Sequence, residues 1–372
     1  MNPTGRALLA GALGAAAVGW VVLPDGAAVE SPSFGAPVIL EPGGELPVTI
    51  RVAIPGVTTL DAAALEHDGV KIPLTRVEPA GRGPRQTARF RIPADCRPGN
   101  YDLVVRAGAG QRTARRAVAV LREIPERFTV AQISDLHFGA SAEGEASVAR
   151  IVAELNRLAP AAVLVTGDIA QDGKPQEYER AQRALARLSM PVVCIPGNHD
   201  RRGWGAYLTS FGGPTGSVRL GSWTFLRLDS AHGRDQFTES QVRDIAQALD
   251  EAEPHRVIVL LHIPLVGTRS VKAHAHSVME LFRRKGVPLV LSGHWHYRAG
   301  YGEDPGGRGE PGAGATTYVV TATAGGPPVP GPTGHSDLRG FTLIAVDRGK
   351  VTAIEPRTVE GGGDAAAAGS TR

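Results

Sequence analysis

The chain has 372 residues, enough for two domains. Its 42% apolar and 21% charged residues exclude both a wholly disordered chain and a polytopic membrane protein. Forty basic against 37 acidic residues leave a formal charge of +3, too small to mark a nucleic-acid polymer or an anionic membrane as partner.

Residues 7–23 follow Arg6 without a charge and end at Pro24, Asp25 and Gly26. A basic start, an apolar run and then small residues read as an export signal, or as an uncleaved anchor. Residues 1–30 are therefore expected to be a signal peptide or membrane anchor, and the protein to be exported to a periplasm or outside the cell. No cysteine follows the run, so a lipid-modified start is not indicated.

Residues 31–124 alternate short strand-like runs with Gly/Pro turns. The apolar/polar alternation is clear at 88–92 and partial at 101–106. The one helical candidate is short, at 61–66. This pattern predicts a β-sandwich of the immunoglobulin or fibronectin kind. The nine arginines from Arg82 to Arg116 read as a solvated face rather than a binding patch. Cys96 lies here and Cys194 in the next domain, so both are expected to be free thiols.

From residue 125 to 358 strands alternate with helices. Strands are expected at 129–133, 162–166, 191–195, 223–228, 256–261 and 287–292, then at 317–321, 341–346 and 351–354. Helices are expected at 143–158, 176–188, 241–252 and 278–284. Thr238 with Gln241, and Ser277 with Glu280, have the spacing of capping boxes. This order implies a layered α/β domain with mixed sheets. Residues 359–372, low in complexity, are read as a disordered tail.

The polar residues gather where apolar strands end. Asp135 and His137 follow the first strand, Asp168 the second, and Asn198, His199 and Asp200 the third. His262 closes VIVLLHIP, and His294 and His296 follow PLVLS. In open α/β sheets ligand sites form beyond that edge. Asp168 has two oxygens that can bridge a pair of cations. Asn198 adds a neutral oxygen, and four histidines add nitrogens. Seven such groups suit two borderline cations such as Fe, Mn, Zn, Co or Ni better than Mg or Ca.

These motifs, D-x-H, GD, GNHD, a lone His and GHxH, resemble those of the calcineurin-like metallophosphoesterase family over about residues 128–325. The resemblance implies a four-layer αββα sandwich with a dinuclear centre. It implies one metal on Asp135, His137, Asp168 and His296, and the other on Asp168, Asn198, His262 and His294. It makes His199 the non-ligand histidine near the leaving group, with Asp200 orienting it. It implies a hydroxide bridging the metals as nucleophile, and Fe, Mn or Zn as the metals. A strand-rich domain ahead of the catalytic one also resembles purple acid phosphatases. Their tyrosine ligand, however, is replaced by Gln171, which argues against an Fe(III)–tyrosinate centre. GDIAQDG followed by Glu177 and Tyr178 looks more like the bacterial cyclic-nucleotide and glycerophosphodiester phosphodiesterases.

The expected function is thus phosphodiester hydrolysis of a small-molecule or envelope ester. A phosphomonoesterase, nucleotidase-like, is the alternative within enzymes, and a non-catalytic binding protein the alternative outside them. A Ser/Thr protein phosphatase is disfavoured because GDxVDRG and GNHE patterns are lacking. Asp229, His232, His274, His276, Arg201 and Arg202 are further candidates for the substrate side. The Gly-rich loop 300–316 reads as a lid or as an insertion.

Overall fold

The computed structural model describes residues 27–52, 58–81, 83–233, 236–267, 270–301, 316–331 and 338–359. Most of the expected leader, the tail from 360 and most of the Gly-rich loop lie outside them. No helix among the described residues is long and apolar enough to cross a membrane.

The first half is all β. One sheet has the order Ala27–Ser31, Glu45–Val52, Arg85–Arg91, Thr75–Glu78; the other has Val38–Leu40, Gly110–Val120, Gly99–Ala107, Leu60–His67, Val70–Pro73. Alternate residues of both sheets, among them Leu46, Val48, Phe90, Leu65, Leu103 and Val105, share one buried core. That is the physical content of a sandwich. Ala27–Ser31 pairs with Glu45–Val52, so the sandwich takes in residues 27–30, which the sequence reading gave to the leader. The helical candidate at 61–66 is instead the strand Leu60–His67, paired with Gly99–Ala107. DAAALE favours helix locally, but the ladder and the burial of Leu65 prevail.

The second half is layered α/β. A five-stranded sheet has the order Val192–Ile195, Ala162–Thr166, Arg127–Ile133, Gly340–Asp347, Lys350–Thr358. A six-stranded sheet has the order Gly216–Leu220, Trp223–Arg227, Val257–Leu260, Leu289–Ser292, Thr317–Val320, Ala299–Tyr301. Val130, Leu164, Val193, Phe225, Ile258 and Leu289 bury the face between the sheets. Helices Ala142–Leu158, Pro175–Leu185 and Trp204–Phe211 cover the outer face of the first sheet. Helices Glu239–Glu251 and Ala275–Lys285 cover that of the second. Three cores thus separate four layers. The central strands, such as Ala162–Thr166, Val257–Leu260 and Leu289–Ser292, are apolar on both faces because both faces are covered.

Local signals explain most of the helices. Ser141 caps the first by accepting from Gly144 N, and the stripe Val148, Ile151, Val152, Leu155 is buried. Thr238 and Gln241 form the expected capping box. The box expected at Ser277 does not form: that helix starts at Ala275, behind His274 at φ 62° and without a side-chain cap. Trp204–Phe211, Gly216–Leu220 and Ala299–Tyr301 were not foreseen.

The two halves are bonded together. Residues 33–36 run along the edge strand Val192–Ile195, where Cys194 N donates to Gly35 O at 2.8 Å. Phe34 enters the first helix core and meets Phe211 edge-on at 5.4 Å. Arg116, expected on a solvated face, donates to Ala186 O, Leu188 O and Met190 O at 2.7–3.1 Å. Those carbonyls lie just beyond the C-terminus of Pro175–Leu185, where a cation is favourable. Arg85, Arg89 and Arg91 do lie on the sandwich surface, paired with Glu30, Glu45 and Glu78. Cys96 and Cys194 are free and buried, as expected.

Phe34 is 4% exposed within a core it shares with the helices over the first α/β sheet. Phe34→Ala should lower the stability of the strand–helix half by about 3–5 kcal/mol, read from the midpoint of chemical denaturation. An unchanged midpoint would show that the sandwich merely abuts its neighbour.

Candidate metal centre

Parallel pairing sets the stage. Ile133 is opposite Val165 and Thr166 opposite Ile195, so the loops holding Asp135, Asp168 and Asn198 leave one sheet side by side. Leu260 is opposite Leu291, so His262 and His294 leave the other sheet likewise. Gln132, buried between the sheets, donates to Thr166 Oγ1 and to Ser292 O, tying the two edges together.

Among the described residues, three groups of side chains lie close enough to hold metal ions: Asp135–His137–His296, His137–Asp168–His199 and Asp168–His262–His294. Asp168 Oδ2 lies 3.6 Å from His137 Nε2 and 3.3 Å from His262 Nε2. His296 Nε2 is 3.2 Å from Asp135 Oδ1 and 3.0 Å from His137 Nε2. Asn198 Oδ1 is 3.1 Å from His262 Nε2. All seven residues expected from the sequence to face the metals therefore meet beyond the strand ends.

The donor set fits cations. His262 Nδ1 bonds Thr166 O at 2.8 Å and His296 Nδ1 bonds Pro327 O at 2.7 Å. A carbonyl can only accept, so each Nδ1 carries hydrogen, and the Nε2 of the neutral ring presents a lone pair inward. The Nε2 atoms of His137 and His296 face each other at 3.0 Å, beside two buried carboxylates. Among the described residues, five of the ten non-glycine residues with positive φ are Asp135, His137, Asp168, His294 and His296. Backbone strain of this kind costs about 1–3 kcal/mol per residue and here aims the ligand atoms.

Charges follow from the packing. Burial alone would raise the Asp168 carboxyl, but His262 and His137 leave it lowered to about 2. Burial disfavours a proton on His262, yet the charge and hydrogen bond of Asp168 raise its pKa to about 9. Burial, then the Asp168 charge, raises Asp200 to about 6, against three backbone donors.

Asp200 departs from the sequence reading. Its carboxylate accepts from Gly197 N, Ile169 N and Ala170 N at 2.8–3.1 Å, stitching the GD loop to the GNHD loop. The partner that orients His199 is Gln171 O, 2.7 Å from Nδ1, which leaves Nε2 4.0 Å from Asp168 Oδ2. A backbone carbonyl has no sequence signature, so this could not be read in advance. Glu177 and Tyr178 also brace these loops. Glu177 Oε2 accepts from Asp172 N and Lys174 N, and Tyr178 Oη donates to Asp200 O.

The sequence reading missed residues 323–326. Thr323 Oγ1, Gly325 N and Gly326 N all donate to Asp135 O. A Cβ on Gly326 would sit 2.6 Å from His137 and 2.8 Å from His296, so only glycine leaves room for both rings. The paired glycines of TATAGG were the available signal. His274 and His276 are exposed at a helix start and belong to none of the three groups. Asp229 and Arg201 pair with each other, with His232 beside them. Arg202 donates to Gln171 O.

A family model described as calcineurin-like phosphoesterase matches residues 128–298. A glycerophosphodiester phosphodiesterase of Enterobacter lignolyticus is 31% identical over 195 residues, 45% of this chain and 70% of that protein. The chain belongs to the calcineurin-like phosphoesterase family. It is a metal-dependent phosphoesterase with a dinuclear metal site. A 3',5'-cyclic-nucleotide phosphodiesterase of Nostoc is 28% identical over 192 residues, 45% of this chain and 71% of that one. Among solved structures, a purple acid phosphatase from yellow lupin aligns with a TM-score of 0.54 at 14% identity, over 84% of this chain and 72% of that chain. That likeness is one of fold.

Raised to about 9, His262 carries a proton at pH 7 when no metal is present. A ligand nitrogen must give up that proton. Loading with metal at pH 7 should therefore release at least about one proton per chain. Calorimetry in buffers of different ionisation enthalpy measures this, and a heat independent of buffer would contradict it.

Proposed function

We propose that this calcineurin-like phosphoesterase is a phosphodiesterase acting on a small-molecule or envelope phosphodiester. The observation that carries the hydrolytic reading is the position of Asp168, in reach of His137 on one side and His262 on the other. The diester is supported by the likeness to glycerophosphodiester and cyclic-nucleotide phosphodiesterases, and by Gln171 where purple acid phosphatases have tyrosine.

Asp135, His137, Asp168 and His296 would hold one metal, and Asp168, Asn198, His262 and His294 the other. Fe, Mn or Zn match these nitrogen and oxygen donors. When bound, the pair supplies Lewis acidity toward a phosphoryl oxygen and an acidified water as nucleophile. The chain's own part is orientation and proton supply. Carbonyls fix the His262 and His296 rings, and Asp200 fixes the loops of Asp168 and Asn198. His199, held at Nδ1 by Gln171 O, presents Nε2 to the centre, and with both ring nitrogens protonated it would give the Nε2 proton to the leaving alkoxide oxygen.

The wider organisation belongs to the same reading. The residues ahead of Ala27 would export or anchor the chain, 27–124 form an immunoglobulin- or fibronectin-like domain, 125–358 catalyse, and 359–372 trail. The sandwich of four and five strands supports the second of these assignments.

A substrate panel on one metal-analysed preparation tests the function. Bis-p-nitrophenyl phosphate, cyclic nucleotides, glycerophosphodiesters and a phospholipid should include the best substrate, ahead of p-nitrophenyl phosphate. A monoester turned over best would reverse the proposal. His199→Ala should lower kcat by about 10²–10⁴-fold, the usual worth of a positioned proton donor, with metal content kept. Asp168→Asn should lower metal content and activity together. Loss of metal in His199→Ala would remove His199 from the proton role.

A further inference from the structure

Several described cations around the centre already have a carboxylate. Lys174 Nζ is 2.7 Å and Arg202 Nη1 3.5 Å from Asp172, and Arg339 Nη1 is 2.5 Å from Glu143. Each of these pairs includes an exposed member, where water screens the charge. Arg201 is different. Its side chain is 23% exposed and in direct contact with Asp229, which is 4% exposed. The guanidinium carbon lies 3.8 Å from the centre of the Trp204 ring, which leaves the group little freedom to swing. His232 Nδ1 is 3.5 Å from Arg201 Nη2 and 3.8 Å from Asp229 Oδ2.

This pair bridges two loops of the centre. Arg201 is the third residue after Asn198. Asp229 precedes Ser230, whose Oγ accepts from His262 N at 3.1 Å and Ile263 N at 2.8 Å. The Asp229 Oδ1 atom is buried and has no hydrogen-bond partner among the described residues, so the carboxylate keeps unspent negative character. Charge compensation counts most where water is largely excluded.

We propose that Asp229 cancels the charge of Arg201 beside the Asn198–His262 flank, and that this cancelled pair makes the site select monoanionic phosphodiesters over dianionic monoesters. The inference rests on the phosphodiesterase reading and adds its specificity determinant. A diester carries one negative charge at neutral pH. A monoester, with a second pKa near 6, carries close to two. Binding the second charge calls for one more uncompensated cation than the metals provide. Arg201 would be that cation, and Asp229 takes it out of use.

Asp229→Asn keeps the shape and leaves Arg201 uncompensated. On metal-loaded protein, the ratio of kcat/KM for p-nitrophenyl phosphate to that for bis-p-nitrophenyl phosphate should rise about tenfold. Inorganic phosphate, followed by calorimetry, should bind tighter by a similar factor, the size expected of one unit charge acting from about 12 Å through an effective dielectric near 20. Arg201→Gln leaves Asp229 uncompensated instead, and should move both quantities the other way. An unchanged ratio with unchanged phosphate affinity overturns the proposal, as does a shift of the same sign in both variants. If Asp229→Asn does not fold, Arg201→Gln decides alone. Phosphate affinity also reads the charge where the wild type turns over neither ester, so failure of this inference is distinguishable from failure of the phosphodiesterase reading.

Discussion

One carboxylate holds the chemistry together. Asp168 Oδ2 lies between an imidazole from the first strand's loop and one from the second sheet. No local segment could arrange this, because residues 137, 168 and 262 come from three separate strand exits. The contact needs two sheets packed face to face with their parallel strands in register at the same end. The apolar core between them, with Gln132 bonded across it, is therefore as much a part of the site as its ligands. The left-handed backbone at five of the ligands is tolerated because the packed strands on either side fix it.

The cluster of candidate ligands was legible because chemistry and fold use the same punctuation. A buried strand reads as an unbroken apolar run, and a polar residue ending it must sit at the sheet edge. VLVTGD and PLVLSGHWH each show both features. What stayed hidden was whatever depends on backbone atoms or on distant partners. Gln171 orients His199 through its carbonyl, so its side chain gave no hint. Asp200 looked like a partner for its neighbour, yet it binds the amides of Ile169 and Ala170, about thirty residues earlier. The strand at Leu60–His67 was obscured because its residues favour helix when taken alone, and Trp204–Phe211 because Gly203 and Gly205 flank its first residue.

The sandwich was foreseeable as a fold but not as a neighbour. Its turns and alternation mark two sheets, whereas nothing in the spacing of Arg116 shows that it will reach three carbonyls behind a helix. Arg227 completes the joint. Its buried guanidinium donates to Cys194 O, Gly213 O and Thr215 O, with Gly35 O at 3.5 Å, and so holds three separate segments through main-chain oxygens alone. Cys194 lies four residues before Asn198, so this joint supports the strand from which a ligand loop departs.

The course of residues 33–36 also affects how the protein behaves in a crowd. A bare margin of a sheet offers unpaired amides and carbonyls to any passing chain. Here one margin of the five-stranded sheet is met by the protein's own Gly35, which takes the Cys194 amide, and the opposite one, Lys350–Thr358, carries exposed Lys350, Glu355, Pro356 and Arg357. Both flanks are thereby denied to foreign strands, which guards a sheet of Val- and Ile-rich strands against stacking into fibres.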